Sequence, residues 1–158
     1  MATRSRIGLM ELYGIITSIY CHWSGDPDHH GPILLTHYNT VERVRALMAL
    51  GDLSCLGHVL GEQHDFGRAV AGHCTAYARD RGDADVHCIT HASLATYAFV
   101  ASVCNAEFLY LFSQDGWAVS PVPRIGATLT WSALDGFQED APLRPTPSTT
   151  GFACTTSE

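Results

Sequence analysis

Apolar and polar positions alternate with a period of two at two places along the chain. Ile7 to Leu12 and Ile15 to Tyr20 are rich in β-branched and aromatic residues, with Tyr13-Gly14 between them. Gly14 is free to take a positive φ, so the pair predicts an antiparallel hairpin. In its second strand Ile15, Thr17, Ile19, Cys21 and Trp23 share one face, while Ile16, Ser18, Tyr20 and His22 share the other. The second place is the stronger. Glu107 to Phe112 alternates, Gln114-Asp115-Gly116 turns, and Trp117 to Val122 alternates again.

Between the hairpins the period lengthens. Asp26-Pro27 reads as an N-cap followed by proline at the first helical position. Gly31-Pro32 interrupts this pattern, so the helix either begins at Pro27 and kinks or begins only at Pro32. Asn39-Thr40 opens a second helix from Val41 to Leu50, with Val41, Val44, Leu47 and Met48 as its apolar stripe. Gly51 is its stop. Thr90 to Cys104 is long for a strand and rich in Ala, which predicts a helix with Leu94, Tyr97, Ala98, Ala101 and Cys104 on one face. Residues 52–72, punctuated by Gly57, Gly61, Gly67 and Gly72, read as a long loop over the site. Cys74 to Arg79 reads as a further strand, ending in the polar turn Asp80-Arg81-Gly82-Asp83.

These elements predict an α+β domain. Its antiparallel sheet is built from two hairpins plus at least one further strand, with about three helices on one face. Residues 1–137 form the single globular domain. Residues 138–158, running into Asp, Pro, Thr and Ser, read as a mobile tail.

Composition narrows the function classes. A formal charge of -7, with no basic cluster beyond Arg4 and Arg6, argues against direct nucleic-acid binding. No segment is apolar enough to span a membrane, and the Ile7 to Tyr20 run, broken by Glu11, is no signal peptide. The six cysteines include no C-x-x-C pair, which fits reduced thiols in a cytoplasm better than a disulfide framework.

The candidate chemistry lies in Tyr20-Cys21-His22-Trp23-Ser24-Gly25-Asp26-Pro27-Asp28-His29-His30-Gly31-Pro32. A connection needs only turn formers, so this density of aromatic, imidazole and carboxylate groups marks a site. Binding is its first reading. Tyr20, His22, Trp23, Asp26, Asp28, His30 and Tyr38 offer stacking surfaces and hydrogen bonds, with Asp80 and Arg81 on the neighbouring turn. Metal binding is disfavoured, because His29 and His30, with Cys21, His22 and His37, lack the paired spacing of zinc ligands. Nucleophilic catalysis is disfavoured too, since Cys21 and His22 point in opposite directions on a strand. No catalytic residue, metal ligand or cofactor is assigned.

Three pieces together resemble one known family. They are Thr3-Arg4-Ser5-Arg6-Ile7, the run Ile19 to Gly25 continuing through Gly31-Pro32-Ile33-Leu34-Leu35-Thr36-His37-Tyr38, and Gly51-Asp52-Leu53-Ser54. Tyr77 to Gly82 and Glu107 to Tyr110 extend the likeness, which covers roughly residues 3–118. The family is a set of small proteins carried by bacteriophages, prophages and other mobile elements. It commonly has Asp where this chain has Ser24, and Tyr where it has Asp26. The resemblance implies a non-enzymatic phage protein in the host cytoplasm, acting by binding a bacterial defence protein, a CRISPR–Cas effector first. The alternatives are a sponge for a nucleotide immune signal and a metal- or thiol-dependent hydrolase. A homo-oligomer is left open. On the effector reading, Asp26, Asp28, Glu42, Asp52, Asp80 and Asp83 are the acids that would steer the encounter.

Overall fold

The computed structural model describes residues 2–136. The expected tail lies outside them. Both predicted hairpins form. Strand β1 (Ser5–Met10) turns through a short 3-10 segment into β2 (Ile16–Cys21), antiparallel, with Ile7 opposite Ile19. Strand β6 (Phe108–Ser113) pairs with β7 (Gly116–Pro121), with Tyr110 opposite Val119. The turn glycine at 116 has φ 91°, a conformation that only a residue without Cβ adopts freely.

One pairing was not legible locally. Strand β1 also pairs with β6 in parallel, Ile7 opposite Tyr110, and this fuses the hairpins into one sheet. Around them lie β3 (Leu53–Cys55), β4 (Thr75–Ala76) and β8 (Ser132–Ala133), giving the order β4-β3-β2-β1-β6-β7-β8. Strand β5 (Ile89–His91) pairs antiparallel with β2 beside β3. The sheet is mostly antiparallel and the class is α+β, with parallel contacts at β1·β6 and β2·β3.

Helix α1 (Pro27–His37) starts at the predicted cap, where the Asp26 carboxylate accepts the His29 backbone N–H at 3.1 Å. It runs unbroken through Pro32. Helix α2 (Val41–Ala49) is capped by the Thr40 hydroxyl. Ile33, Leu34, Val44, Leu47 and Met48 of these helices join Ile7, Leu9, Ile19, Phe108, Tyr110 and Val119 of the sheet in the larger core.

The third helix differs in extent and placement. Residues 89–91 are strand, and α3 (Leu94–Val103) begins only after Ser93, whose hydroxyl and backbone form a reciprocal cap with Thr96. It covers the opposite face of the sheet from α1 and α2. Tyr97 and Ala101 pack there with Ile16, Leu109 and Leu111. Alternation dictates this, because β1 sends Ile7 and Leu9 one way and Arg6 and Gly8 the other.

The predicted strand from Cys74 to Arg79 shrinks to Thr75–Ala76, followed by a single π-helical turn, Tyr77–Arg81. Gly8 shows how tightly α3 seats. A Cβ there would lie 2.9 Å from the Tyr97 hydroxyl oxygen and 3.1 Å from Cγ2 of Ile16. Overpacking of this kind costs about 1–3 kcal/mol. Gly8→Ala should therefore lower the unfolding free energy read from urea denaturation by that amount, and a stability equal to the wild type's would show that α3 rides loosely on the sheet.

Candidate functional site

The nine candidate binding residues do not form one cluster. The fold distributes them over three places. Tyr20, His22 and Trp23 stay together as an edge-to-face ladder. The Tyr20 hydroxyl is 3.0 Å from His22 Nδ1, and the His22 ring lies 4.7 Å from the Trp23 ring at 72°. All three side chains are partly exposed. Backbone bonds from His22 and Trp23 to the carbonyls of Leu53 and Ser54 hold the strand end flat, so the ladder is presented by a rigid edge.

Two arginines flank this ladder. Arg6 sits opposite Tyr20 in the β1–β2 register. The Arg4 charge is felt at both Tyr20 and His22. Burial pushes the Tyr20 phenol up to about 12, with Arg4 opposing. Burial lowers the His22 imidazole below its ordinary value, and Arg4 lowers it further. The surface therefore carries a neutral phenol, a neutral imidazole, an indole and a cation at neutral pH.

The second place is the turn after β4. The Arg81 guanidinium lies 4.7 Å from the Phe66 ring centre and 4.6 Å from that of Tyr77, and pairs with Asp83 across Gly82. The Arg-Gly-Asp triplet is thus a self-paired turn. Asp80 is a different matter. Its side chain is fully buried. It accepts from the Arg79 guanidinium at 2.8 and 3.0 Å, from the Ala76 N–H at 2.8 Å and from the His64 N–H at 3.1 Å. Burial alone would raise this carboxyl, but these hydrogen bonds outweigh it and hold it below its usual range. Arg79 also donates to the carbonyls of Leu60, Gly61 and Cys74. Asp80 and Arg79 therefore clip the long loop to the sheet, and Asp80 is not available to a partner.

The third place is the opposite face, where α1 enters the core. Asp26 is spent on the helix cap, and Asp28 is exposed in its first turn. Tyr38 is a strut rather than a ligand. Its hydroxyl donates to the Gly57 carbonyl at 2.8 Å, and its own carbonyl accepts the Trp117 indole N–H at 2.8 Å. His30 is completely buried 5.4 Å from the Tyr110 ring, and neither ring nitrogen has a well-formed hydrogen bond. Burial, then the neighbouring His29, push its pKa down to about 3, with the Ser24 carbonyl opposing.

Ser24 itself takes φ 55°. Asp and Asn tolerate this left-handed backbone better than most residues. An Asp there, as the resemblance would expect, thus has a conformational reason independent of chemistry.

Neither Cys21 nor Cys74 is set up as a nucleophile. Cys21 is fully buried, and burial, reinforced by Cys74, pushes it up to about 12. Cys74 is also raised by burial and sits 3.4 Å from the Tyr38 hydroxyl. A nucleophilic thiol needs the reverse, a lowered pKa and access. Cys21, Cys74, Cys88 and Cys104 are free thiols, whereas Cys55 is disulfide-bonded, so the expectation of reduced thiols does not hold there. Among the described residues, no group of three or more His, Cys, Asp or Glu is placed to hold a metal ion. No helix among them is long and apolar enough to cross a membrane.

Arg6, which the sequence groups with Arg4 as a basic start, is only 4 % exposed. Its Nε and one terminal nitrogen donate to the Ser18 hydroxyl at 3.1 and 2.9 Å, and Ser18 Oγ is 2.7 Å from His91 Nε2. Burial, then the Arg6 charge, push His91 down to about 4. The available signal was the alternation that places Arg6 and Ser18 on one face with Tyr20.

Comparison with protein families, with curated proteins and with solved structures finds no match to this chain.

The buried imidazoles set the acid response. The unfolded chain takes up protons near pH 6.5, while folded His30 and His91 refuse them until about 3 and about 4. Stability is therefore complete above pH 6.5 and falls as pH drops below it, by about 1.4 kcal/mol per pH unit for each such group. Urea unfolding between pH 7.5 and 4.5 should show a slope of at least this size, smaller by about one group's share, about 1.4 kcal/mol per pH unit, in His30→Gln or His91→Gln. An unchanged slope in both variants would mean that neither histidine is held neutral.

Proposed function

We propose that this protein acts by binding a macromolecular partner, and that the Tyr20–His22–Trp23 ladder beside Arg4 is the contact surface. The observation that carries this reading is the ladder itself. Three partly exposed rings are locked edge to face on a rigid strand end, with a cation alongside. Tyr, Trp and Arg dominate the energetics of protein interfaces, and pre-organised side chains lose little entropy on docking.

The resemblance to proteins of mobile elements supplies the expected target class, a bacterial defence protein, with a CRISPR–Cas effector first. The acids expected to steer that encounter need revision. Asp80 is buried, Asp26 caps α1, Asp83 pairs with Arg81, and Asp52 is half-buried, accepting the Tyr20 N–H at 2.8 Å. Asp28 and Glu42 remain exposed, and their charge would act on the association rate.

A nucleotide signal is the second reading, favoured by the Arg81 guanidinium stacked against Phe66 and Tyr77. It would use stacking and Arg–phosphate pairing in place of a protein interface.

The test is binding of the purified chain to a panel of Cas effectors, with a cyclic dinucleotide titrated separately. His22→Ala and Trp23→Ala should each weaken effector binding by about 2 kcal/mol, roughly 30-fold. Both should melt close to the wild type, because the backbone bonds to Leu53 and Ser54 remain. Full effector affinity in both folded variants removes the ladder from the interface. Saturable dinucleotide binding lost in Arg81→Ala, with no effector bound, moves the second reading into first place.

A further inference from the structure

Strands β1 and β6 run parallel side by side, and their last paired residues are Leu9 and Phe112. Beyond that point the chain leaves them in opposite directions. Strand β1 turns toward β2 on one side, and β6 turns toward β7 on the other. Parallel neighbours whose connections diverge leave a crevice outside their carboxyl ends, the place where open sheets take ligands. Such a crevice is present here. A cleft of about 510 Å³ lies between the two hairpin turns and the start of α2. Its volume falls within the range of ligand sites.

The cleft is apolar at its base and charged at its rim. Leu9 and Phe112 are buried, whereas Leu12 is 78 % exposed and Val41 37 %, and all four line the same space. Arg45 and Glu11, also in the lining, meet at 2.9 Å and cancel one another's charge. Asp115 lines it from the other turn and has no ion-pair partner among the described residues. Glu42, exposed beside Val41, adds a further carboxylate. The turn next to Leu12 carries a second sign of contact. Tyr13 is 97 % exposed and holds φ 61°, a backbone that bulky residues rarely adopt. Asn or Gly would make this turn with less strain. Strain of this kind gathers at functional positions.

We propose that this cleft is a second binding site, and that its ligand is a segment of a partner protein carrying Lys or Arg beside an apolar side chain. Charge selects this occupant. Glu11, Asp115 and Glu42 against Arg45 leave the cleft negative, on a chain whose net charge is -7. An apolar side chain can seat on Leu9 and Phe112 between Leu12 and Val41, with the neighbouring cation paired to Asp115. An acidic segment would meet like charge. The ladder lies at the other end of the sheet, because β2 begins here at Ile16 and ends at Cys21. At about 3.4 Å per residue the two sites are roughly 17 Å apart, so both can be filled at once and neither reading depends on the other.

Titration of the ¹⁵N-labelled full chain with a capped peptide of three Leu-Lys repeats tests this through amide chemical shifts. Saturable shifts should appear at Leu12, Val41, Phe112 and Asp115, while Tyr20 and His22 stay unmoved. Peptides with Glu in place of Lys, or Ser in place of Leu, should bind about 10-fold more weakly or less. Asp115→Lys and Leu12→Ser should each weaken the Leu-Lys peptide by about 5-fold or more, with unchanged melting, since both positions already face solvent. The proposal is overturned by the lack of saturable shifts at about 10 mM peptide, by equal affinity for the Glu peptide, or by full affinity in either variant. It is overturned as well if the wild type ignores the peptide yet binds phosphatidylglycerol vesicles, with that binding lost in Leu12→Ser. The hairpin tip would then face a lipid surface.

Discussion

The fold depends on one strand pairing. Strand β1 must lie antiparallel to β2, its neighbour in sequence, and parallel to β6, about a hundred residues away. Each hairpin alone is a marginal two-stranded unit. Joined through β1, they become the centre of an eight-stranded sheet. The junction is locked from above. The Tyr97 hydroxyl sits 3.1 Å from the Arg6 carbonyl and 2.9 Å from that of Tyr110, one on each strand. Gly8 leaves the space in which that phenol rests. The entropy of closing so long a loop is offset only when β1 has both partners and both faces are covered.

That dependence explains what could be read in advance. The hairpins were legible because antiparallel neighbours write their pairing locally, in alternation and in a turn glycine. The caps at Asp26 and Thr40 were legible for a similar reason, since a cap involves residues three apart. The parallel β1·β6 contact has no local signature. Strands β3 and β4 are three and two residues long, too short to carry a period. Thr90 and His91 read as helix because Ala-rich sequence follows at once, yet they belong to strand β5, and Ser93 and Thr96 cap the helix after it. Cys74–Arg79 breaks off as a strand because Asp80 turns back to bind the Ala76 N–H.

The site was legible in part, and the errors share a cause. Chemical density along the chain is not density in space. On β2 alternate residues face opposite sides, so Tyr20 and His22 reach one surface while Cys21 enters the core. The chain then turns into α1, which carries His30 inward and uses Asp26 as a cap. Tyr38, Asp80 and His30 are costly residues of the kind that mark function, yet each serves the interior. Their burial could not be read from composition, because it depends on which distant segment covers them.

Arg6 shows how the polar interior and the exposed ladder are connected. Its guanidinium donates twice to Ser18 Oγ, which occupies the acceptor capacity of that oxygen. The one hydroxyl proton of Ser18 then points to His91 Nε2, so His91 must be neutral and carry its proton on Nδ1. No carboxylate among the described residues lies within ion-pair distance of Arg6. Burial keeps the His91 imidazole unprotonated, and the guanidinium that a second cation would face across a single hydroxyl adds to this. The His91 ring also packs 5.1 Å from that of Tyr97, the residue that locks β1 to β6. Arg6 lies opposite Tyr20 in the same strand pair. The neutral state of one buried imidazole therefore bears at once on the seat of α3, on the central strand junction and on the strand that presents the ladder.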